Sequence, residues 1–339
     1  MDSLDNAKLH NHPIEVGNWL KNGNCFPLYA ELSPVDYCGQ KCLFCALDSK
    51  HGKNTLNTET IKSVITELSI GGTKSIMIAG AGCPMLHPDL PEIVKHTKET
   101  GIDVAITTNG SIDNGLDVYK QNCSWIKVSF DAGDRETYKL IHGVDMFDRV
   151  VANIKKLVSL PGDSEISMQF LLLKDNFHSL ENFIKLAKEL KVDRAIIKPY
   201  SQGLFSINKM EIDYQEYIEK CDELVLKYSD VNINFRKKTA MTKAKAYDRC
   251  YSAGQFWTYI EANGDVYSCS CFIGDKRFII GNINQSTFSK IWHESQERKD
   301  NLKMMETFDV KDCRLNCRFE ANNKYLWDLK NVDKFRNFI

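Results

Sequence analysis

Three cysteines within eight residues restrict this chain more than any other feature. Cys38, Cys42 and Cys45 have the spacing Cys-x3-Cys-x2-Cys and directly follow a run that predicts a strand over Pro27–Leu32. Thiolate sulfurs bind soft metals and iron–sulfur clusters. Structural zinc normally takes four protein ligands. A trio of cysteines therefore suggests a [4Fe–4S] cluster in which one iron is left open.

Two alternatives remain for this trio. Zinc would need a fourth ligand such as Asp48 or His51, and the thiols would otherwise carry no metal. Disulfides are a poorer interpretation of the chain's 12 cysteines, because it is long and begins with a polar, acidic segment rather than an export signal. We expect a cytoplasmic protein without membrane contacts, since no apolar run approaches the roughly 18 residues of a membrane span. A net charge of −1 also argues against nucleic-acid binding.

Short β-branched runs alternate with amphipathic stretches between residues 27 and 200, which predicts an α/β fold with a parallel sheet. The strands are predicted at Pro27–Leu32, Lys74–Ala79, Asp103–Thr107, Trp125–Phe130, Glu165–Leu173 and Arg194–Lys198. The helices are predicted at Thr58–Ile70, Pro88–Thr100, Asp113–Gln121, Met146–Leu160, Ser179–Leu190 and Lys209–Tyr228. Thr58 is a predicted N-cap. An incomplete barrel of six βα units and an open doubly wound sheet fit this pattern equally well.

The pattern changes after a basic connector at residues 236–238. Asn263-Gly264 predicts a hairpin between two short strands, and a helix follows over Thr287–Met305. We therefore divide the chain into an N-terminal extension (1–26), a core (27–235) and a small α+β domain (236–339).

A second set of cysteines lies in this small domain. Cys250 and Cys269 flank Gly264 in a Cys-x13-Gly-x4-Cys arrangement, and Cys313 and Cys317 follow with the spacing Cys-x3-Cys. Cys271 would share a strand face with Cys269. By spacing alone, zinc in a small ribbon fits these thiolates as well as an iron–sulfur cluster does.

The first trio, with the aromatic Phe44 just before the third cysteine, resembles the hallmark of the radical S-adenosylmethionine (SAM) superfamily. Further motifs resemble that family in the same order. Gly82-Cys83-Pro84 lies where the family usually has Gly-Glu-Pro, with Cys83 replacing the acid. Thr108-Asn109-Gly110 is similar to its Thr-Asn-Gly, and Ser129-Phe130-Asp131 to its Ser-x-Asp.

The resemblance implies a partial (βα)6 radical SAM barrel in which SAM binds the open iron. It further implies a set of SAM-binding residues, made up of Phe44, Gly82, Cys83, Asn109, Ser129, Asp131, Gln169 and Lys198. Ser129 and Asp131 lie two residues apart and are expected to share one strand face. The C-terminal cysteines resemble an abbreviated SPASM (twitch) domain. This similarity implies one auxiliary [4Fe–4S] cluster held by Cys250, Cys269, Cys313 and Cys317, with the role of Cys271 left open.

In the family, an electron from the reduced cluster splits SAM into methionine and a 5′-deoxyadenosyl radical. The resemblance implies hydrogen abstraction from a small polar metabolite of the sugar or aminocyclitol type, with oxidation or epimerisation as the outcome. Cys83 is the candidate catalytic hydrogen donor, or else a small residue tolerated beside backbone contacts. Modification of a ribosomal peptide or protein side chain is the alternative function, and a metal scaffold without turnover is a third class. A flavodoxin- or ferredoxin-type protein is the expected electron donor.

Overall fold

A single ten-stranded sheet organises the molecule. The computed structural model describes residues 7–210, 212–332 and 337 of the 339-residue chain. The strands, numbered in chain order, are β1 Tyr29–Leu32, β2 Ser75–Ile78, β3 Asp103–Thr108, β4 Trp125–Ser129, β5 Glu165–Leu172, β6 Arg194–Pro199, β7 Ile233–Phe235, β8 Trp257–Ile260, β9 Asp265–Tyr267 and β10 Ile279–Asn282. Their order across the sheet is β10-β9-β8-β1-β2-β3-β4-β5-β6-β7.

Helices connect most of these strands. They are α1 Pro13–Asn22, α2 Thr58–Ile70, α3 Leu90–Glu99, α4 Leu116–Asn122, α5 Arg135–His142, α6 Phe147–Ser159, α7 Leu180–Glu189, α8 Gln215–Lys227, α9 Lys237–Met241, α10 Phe288–Glu294, α11 Gln296–Met304 and α12 Glu320–Lys330. Within the described part of the chain, no helix has the length and apolar character needed to cross a membrane.

The sheet has different chemistry on its two faces. The even-numbered residues of the early strands, such as Ala30, Ile76 and Val104, are buried against the helices in one apolar layer. The odd-numbered residues Thr107 and Ser129 instead line an internal cavity, as does Lys198 on β6. Helices on one face and a polar cavity on the other are the arrangement of an incomplete barrel, because a doubly wound sheet carries helices on both faces. The structure thus decides between the two predicted architectures.

Helix α2 shows how local sequence sets these elements. Its buried residues Ile61, Val64, Ile65 and Leu68 recur at helical spacing and pack into the apolar layer. The N-cap is Asn57, whose side-chain oxygen accepts hydrogen bonds from Glu59 N at 2.9 Å and Thr60 N at 3.2 Å. The predicted N-cap Thr58 was wrong by one residue, since it is already the first helical residue.

The C-terminal hairpin is part of the core sheet. Strand β8 pairs in parallel with β1, with Tyr29 opposite Trp257 and Leu32 opposite Ile260. The predicted hairpin is present as the antiparallel pair β8–β9. The predicted helix over Thr287–Met305 is divided into α10 and α11 at Ser295, whose side chain caps α11 by accepting from Arg298 N. The pairing of β8 with β1 brings the second set of cysteines beside the open side of the barrel.

Candidate metal centres and cofactor cavity

The first three cysteines lie where β1 ends, at the edge of the sheet where parallel α/β folds bind ligands. Cys38, Cys42 and Cys45 all line the same cavity of about 330 Å³. Two backbone hydrogen bonds of 2.9 Å attach their loop to the end of α5, from Lys41 N to His142 O and from Leu43 N to Ile141 O. The loop therefore has a defined position above the barrel.

His142 lies beneath the loop and contacts its middle cysteine. Its Nε2 lies 2.9 Å from Phe130 O, a carbonyl that only accepts, so Nε2 carries the proton. Its Nδ1 then accepts from the Cys42 thiol, whose sulfur is 3.1 Å away. Burial lowers the pKa of His142 to about 4, which keeps the ring neutral. His142, the last residue of α5, thus supports the cysteine loop.

The donor set fits a soft metal cluster. Burial, reinforced by Asp131 and the other cysteines, raises the pKa of the Cys42 thiol well above its ordinary value, and burial raises that of Cys45 to about 11. A bound metal cation compensates for such burial of thiolates. Within the described residues, no three His, Cys, Asp or Glu side chains already form a site for a single metal ion.

The two proposed fourth zinc ligands behave differently. Asp48 uses both carboxylate oxygens to accept from the backbone, at 2.7 Å from Ile207 N and 2.8 Å from Asn208 N. His51 lines the cavity, with its Nε2 3.7 Å from Cys45 Sγ. Asp48 therefore fixes the backbone at residues 207–208, and both of its oxygens are already used in these hydrogen bonds.

The Gly82-Cys83 segment lines the same cavity and lies beside the backbone that leads into the cysteine loop. Gly82 N donates to Val35 O at 3.2 Å and Cys83 N donates to Tyr37 O at 3.0 Å, so these amides are occupied by the backbone that leads into the loop. A Cβ atom at Gly82 would overlap the backbone of Val35 and Tyr37. Glycine is required here because the two backbone segments are in close contact.

The buried side-chain amide of Asn109 contacts both the Cys83 segment and the cysteine loop. Asn109 Oδ1 accepts from Ser111 N at 3.0 Å and Ser111 Oγ at 2.8 Å, and Cys83 Sγ lies 3.3 Å from the same oxygen. Asn109 Nδ2 lies 3.6 Å from Cys38 Sγ. The Thr-Asn-Gly motif therefore positions both the candidate hydrogen donor and a candidate cluster ligand.

Seven of the eight predicted cofactor residues line the cavity together, and one does not. Those that line it are Phe44, Gly82, Cys83, Asn109, Ser129, Gln169 and Lys198. Asp131 does not line it. Its fully buried carboxylate instead accepts from Leu171 N at 2.7 Å. The expected shared face with Ser129 was wrong because β4 ends at Ser129 and Asp131 has a left-handed φ of 57°, which breaks the two-residue alternation.

The second set of cysteines lines a separate, largely apolar pocket. Its sulfurs come from Cys250, Cys269, Cys271, Cys313 and Cys317. Cys269, Cys313 and Cys317 all act on the pKa of the Cys271 thiol, so the four sulfurs lie close together. The walls of this pocket include two stacked aromatic pairs. Trp257 stacks on Phe319 with ring centroids 4.3 Å apart, and Phe272 stacks on Phe278 with centroids 4.0 Å apart. Five thiols in one apolar pocket fit a second iron–sulfur cluster, with one sulfur more than four ligands require.

Sequence reasoning missed the charged residues between the two cysteine sets. Arg314 and Arg318 lie within and just after the Cys313–Cys317 loop and reach the first cavity. Arg318 Nη1 forms an ion pair of 2.8 Å with Glu31 Oε1 on β1. The sequence did contain a signal for these two arginines, because Arg314 directly follows Cys313 and Arg318 directly follows Cys317. Lys127 lies two residues before Ser129 and so belongs to the same strand face.

These features define an iron–sulfur protein whose barrel and C-terminal domain share one cavity. Residues 32–187 match the radical SAM superfamily, and residues 250–318 match SPASM, an iron–sulfur cluster-binding domain. The chain therefore carries an N-terminal radical SAM domain followed by a C-terminal SPASM domain. Its cofactors are SAM, a [4Fe–4S] cluster in the first domain and an auxiliary iron–sulfur cluster in the second.

Curated relatives match only part of the chain. A probable GTP 3′,8-cyclase of Saccharolobus islandicus is 35% identical over 193 residues, which are 54% of this chain and 62% of that protein. Its counterpart in Sulfurisphaera tokodaii is 29% identical over 206 residues, which are 59% of this chain and 64% of the relative. The matched region thus spans under two thirds of each relative.

Solved structures share the fold at low sequence identity. SuiB of Streptococcus suis bound to precursor peptide SuiA has a TM-score of 0.71 and 19% identity, with 96% of this chain and 78% of that chain covered. Native anSMEcpe with bound AdoMet has a TM-score of 0.62 and 17% identity, and 88% of each chain is covered. At these identities the likenesses show a shared α/β fold and no more.

Proposed function

We propose that this enzyme abstracts a hydrogen atom from a small polar metabolite of the sugar or aminocyclitol type, with oxidation or epimerisation as the result. When bound, SAM and its cluster supply a 5′-deoxyadenosyl radical, and the auxiliary cluster supplies an electron acceptor. The protein's own residues bind and orient the substrate and restrict its access to water. A flavodoxin- or ferredoxin-type protein is the proposed electron donor.

One observation carries the choice of a small substrate. Arg314, Asn316 and Arg318 of the C-terminal cysteine loop line the same cavity as Cys38 and Cys83. The loop is fixed over the barrel, because Arg318 binds Tyr29 Oη at 2.6 Å in addition to its ion pair with Glu31. The cavity, which must hold SAM and the cluster as well as the substrate, has a volume of about 330 Å³. That volume lies at the lower end of the range for small-molecule sites, roughly 300–1,000 Å³.

Cys83 supports the epimerisation branch. Its side chain is buried and lines the cavity, and burial raises the pKa of its thiol, so the S–H bond is retained at neutral pH. Transfer of that hydrogen atom to a substrate carbon radical forms a C–H bond and leaves a thiyl radical on Cys83. One electron from the flavodoxin- or ferredoxin-type donor and one proton restore the thiol. In the oxidation branch Cys83 transfers no hydrogen.

A peptide substrate is the second candidate, and the fold comparison favours it. SuiB, which covers 96% of this chain, was solved with a precursor peptide bound. A peptide would have to enter beside the loop that carries Arg314 and Arg318, so the two candidates make different demands on this loop. A substrate lying deep in the barrel must fit the enclosed volume, whereas a peptide needs only one residue inside.

An activity-guided assay separates the candidates. Reconstituted enzyme, SAM and a strong reductant are mixed under anaerobic conditions with a low-molecular-mass filtrate of cell extract, and release of 5′-deoxyadenosine is measured. We expect the filtrate to stimulate release, and treatment of the filtrate with a broad-specificity protease to leave the stimulation intact. Loss of stimulation after proteolysis would assign a peptide substrate instead. Absence of 5′-deoxyadenosine under every condition would refute the proposed chemistry.

A further inference from the structure

Positive charge is concentrated on the barrel wall that faces the C-terminal loop. Lys198 on β6 lines the cavity together with Arg314 and Arg318 of the loop, and Lys127 on β4 lies close enough to Lys198 to act on its charge. Arg236, which has interactions of its own, lines the cavity beside them. Burial is the largest cause of the lowered pKa of Lys198, and each of the other four cations lowers it further. The five charges therefore lie close enough to repel one another.

The carboxylates nearby do not balance these charges. Glu31 is committed to Arg318 at 2.8 Å. Asp131 is the other acid that acts on Lys127, and one of its oxygens is occupied by Leu171 N. Two carboxylates therefore face four cations before Arg236 is counted. Buried charges normally have partners, and an excess of two cations in a cavity is costly unless a ligand supplies the anion.

Neither lysine has such a partner within the part of the chain that the structure describes. Among the residues that the structure describes, neither Lys127 nor Lys198 forms a hydrogen bond or an ion pair; the ammonium of Lys127 lies 6.0 Å from the Trp125 ring centroid. Burial is the first cause of a pKa lowered to about 8 at Lys127, and it is also the first cause of a pKa lowered well below the ordinary value at Lys198. Arg314 Nε is likewise buried without a hydrogen-bond partner among the described residues.

The auxiliary cluster does not account for the two lysines. Cys271 and Cys317 act on Arg314, so part of the arginine's charge faces the second metal pocket. In contrast, no cysteine is among the groups that act most strongly on Lys127 or Lys198. The first cavity is therefore cationic independently of the auxiliary site. SAM carries one carboxylate against an ammonium and a sulfonium, so it adds no net negative charge.

We infer that the substrate is an anion, whose phosphate or carboxylate group binds between Lys127 and Lys198 on the barrel and Arg314 on the C-terminal loop. This inference rests on the proposed function and names its substrate class. Charge-assisted hydrogen bonds to phosphate or carboxylate are short and strong, and three cations from opposite walls would hold such a group at a fixed point in the cavity. The rest of the substrate would then extend toward Cys83.

Binding of simple anions tests this inference without turnover. Holoenzyme loaded with clusters and SAM is titrated anaerobically with inorganic pyrophosphate and, separately, with malonate, at constant ionic strength in a calorimeter. We expect saturable binding of one of them at a single site. Pyrophosphate binding indicates a phosphorylated substrate and malonate binding a carboxylate substrate. Failure of both probes to bind would overturn the inference.

Variants locate the site. We expect Lys127→Met and Lys198→Met each to weaken probe binding by about tenfold or more, as the loss of a charge-assisted contact implies. The matched control Lys139→Met removes an exposed lysine on α5 and should leave binding unchanged. Lys127→Arg keeps the charge and should retain most of the affinity, which excludes misfolding as the cause. Equal affinity in the wild type and in Lys127→Met would refute the site.

Two further readouts keep the proposals apart. SAM affinity is measured in Lys198→Met, because a loss of SAM binding with unchanged probe binding would assign Lys198 to the cofactor and remove it from the anion site. Release of 5′-deoxyadenosine is measured on the wild type. Release without anion binding would leave the proposed function standing and refute the inference, whereas anion binding without release would do the reverse.

Discussion

Cys83 Sγ lies 3.3 Å from Asn109 Oδ1, while the amide nitrogen of the same Asn109 lies 3.6 Å from Cys38 Sγ. A single buried side chain thus connects the candidate hydrogen donor to the loop that holds the candidate cluster. Thr108 Oγ1 adds a further contact to Cys83 Sγ at 3.5 Å. This arrangement fixes the Cys83 thiol within the cavity, which is what a stereospecific hydrogen transfer to carbon requires.

We predict that Cys83 determines whether solvent hydrogen enters the product. Thiol protons exchange with water, so turnover in deuterated water should place one deuterium on a product carbon if Cys83 quenches the substrate radical. Cys83→Ala should abolish this deuterium, as read by mass spectrometry of the product. A product that is two mass units lighter and free of deuterium in the wild type would instead establish oxidation and leave Cys83 without this role.

The first cysteine trio should hold half of the iron. Two [4Fe–4S] clusters correspond to about eight iron atoms per chain. We predict that Cys42→Ala reduces the reconstituted iron content to about half and abolishes the release of 5′-deoxyadenosine. Cys221→Ala is the matched control, since Cys221 is a fully buried thiol on α8 that lies in an apolar cluster. Full iron content in Cys42→Ala, or zinc in place of iron in the wild type, would contradict the assignment.

Close contact between backbone segments makes Gly82 a sensitive position. In Gly82→Ala the new methyl group would overlap the backbone of Val35 and Tyr37. We expect a loss of about 1–3 kcal/mol in the free energy of unfolding, typical of forced overpacking, together with weaker SAM binding. Gly39→Ala is the control in the cysteine loop, because a Cβ atom there meets nothing within 4 Å. Denaturant unfolding and SAM titration of both variants check the prediction, and equal behaviour of the two would contradict it.

Local sequence was sufficient for much of the core. Helix α2 has the predicted bounds Thr58–Ile70, and all six predicted barrel strands are present within two residues at each end. These elements carry strong periodicity, and their packing follows from it. The spacing of Cys38, Cys42 and Cys45 was similarly informative, because ligands so close in sequence must also be close in space.

Other features depend on contacts between distant segments. The parallel pairing of β8 with β1 joins residues more than 200 positions apart. The local pattern of either strand does not predict which distant strand it will pair with. The convergence of Arg314 with Lys127 follows from that pairing and was missed for the same reason. Asp131 was misplaced because the alternation of a strand was extended past its last residue. Its left-handed φ of 57° is uncommon for a residue other than glycine.

Asp131 should make the stability of this protein depend on pH. Burial raises the pKa of its carboxyl group to about 7 in the folded protein, against which the Leu171 amide, Lys198 and Lys127 act only in part. In the unfolded chain the pKa is about 4. Between these values the folded protein holds a proton that the unfolded chain has released. The resulting contribution to stability is complete below about pH 4 and is lost as pH rises through about 7.

Comparison with Asp131→Asn isolates this contribution. Asparagine tolerates the left-handed backbone conformation and keeps an oxygen to accept from Leu171 N, but it does not titrate. We predict that, between pH 6 and pH 8, the free energy of unfolding of the wild type falls by about 1 kcal/mol relative to that of the variant. Denaturant unfolding of both holoproteins at the two pH values measures the difference, in which the pH dependence common to both cancels. A difference of zero would mean that Asp131 is ionised throughout this range, as it would be if its partners outweighed burial. In that case the two lysines would have a charged neighbour at neutral pH, and Asp131 would neutralise part of the cationic wall that the anion site requires.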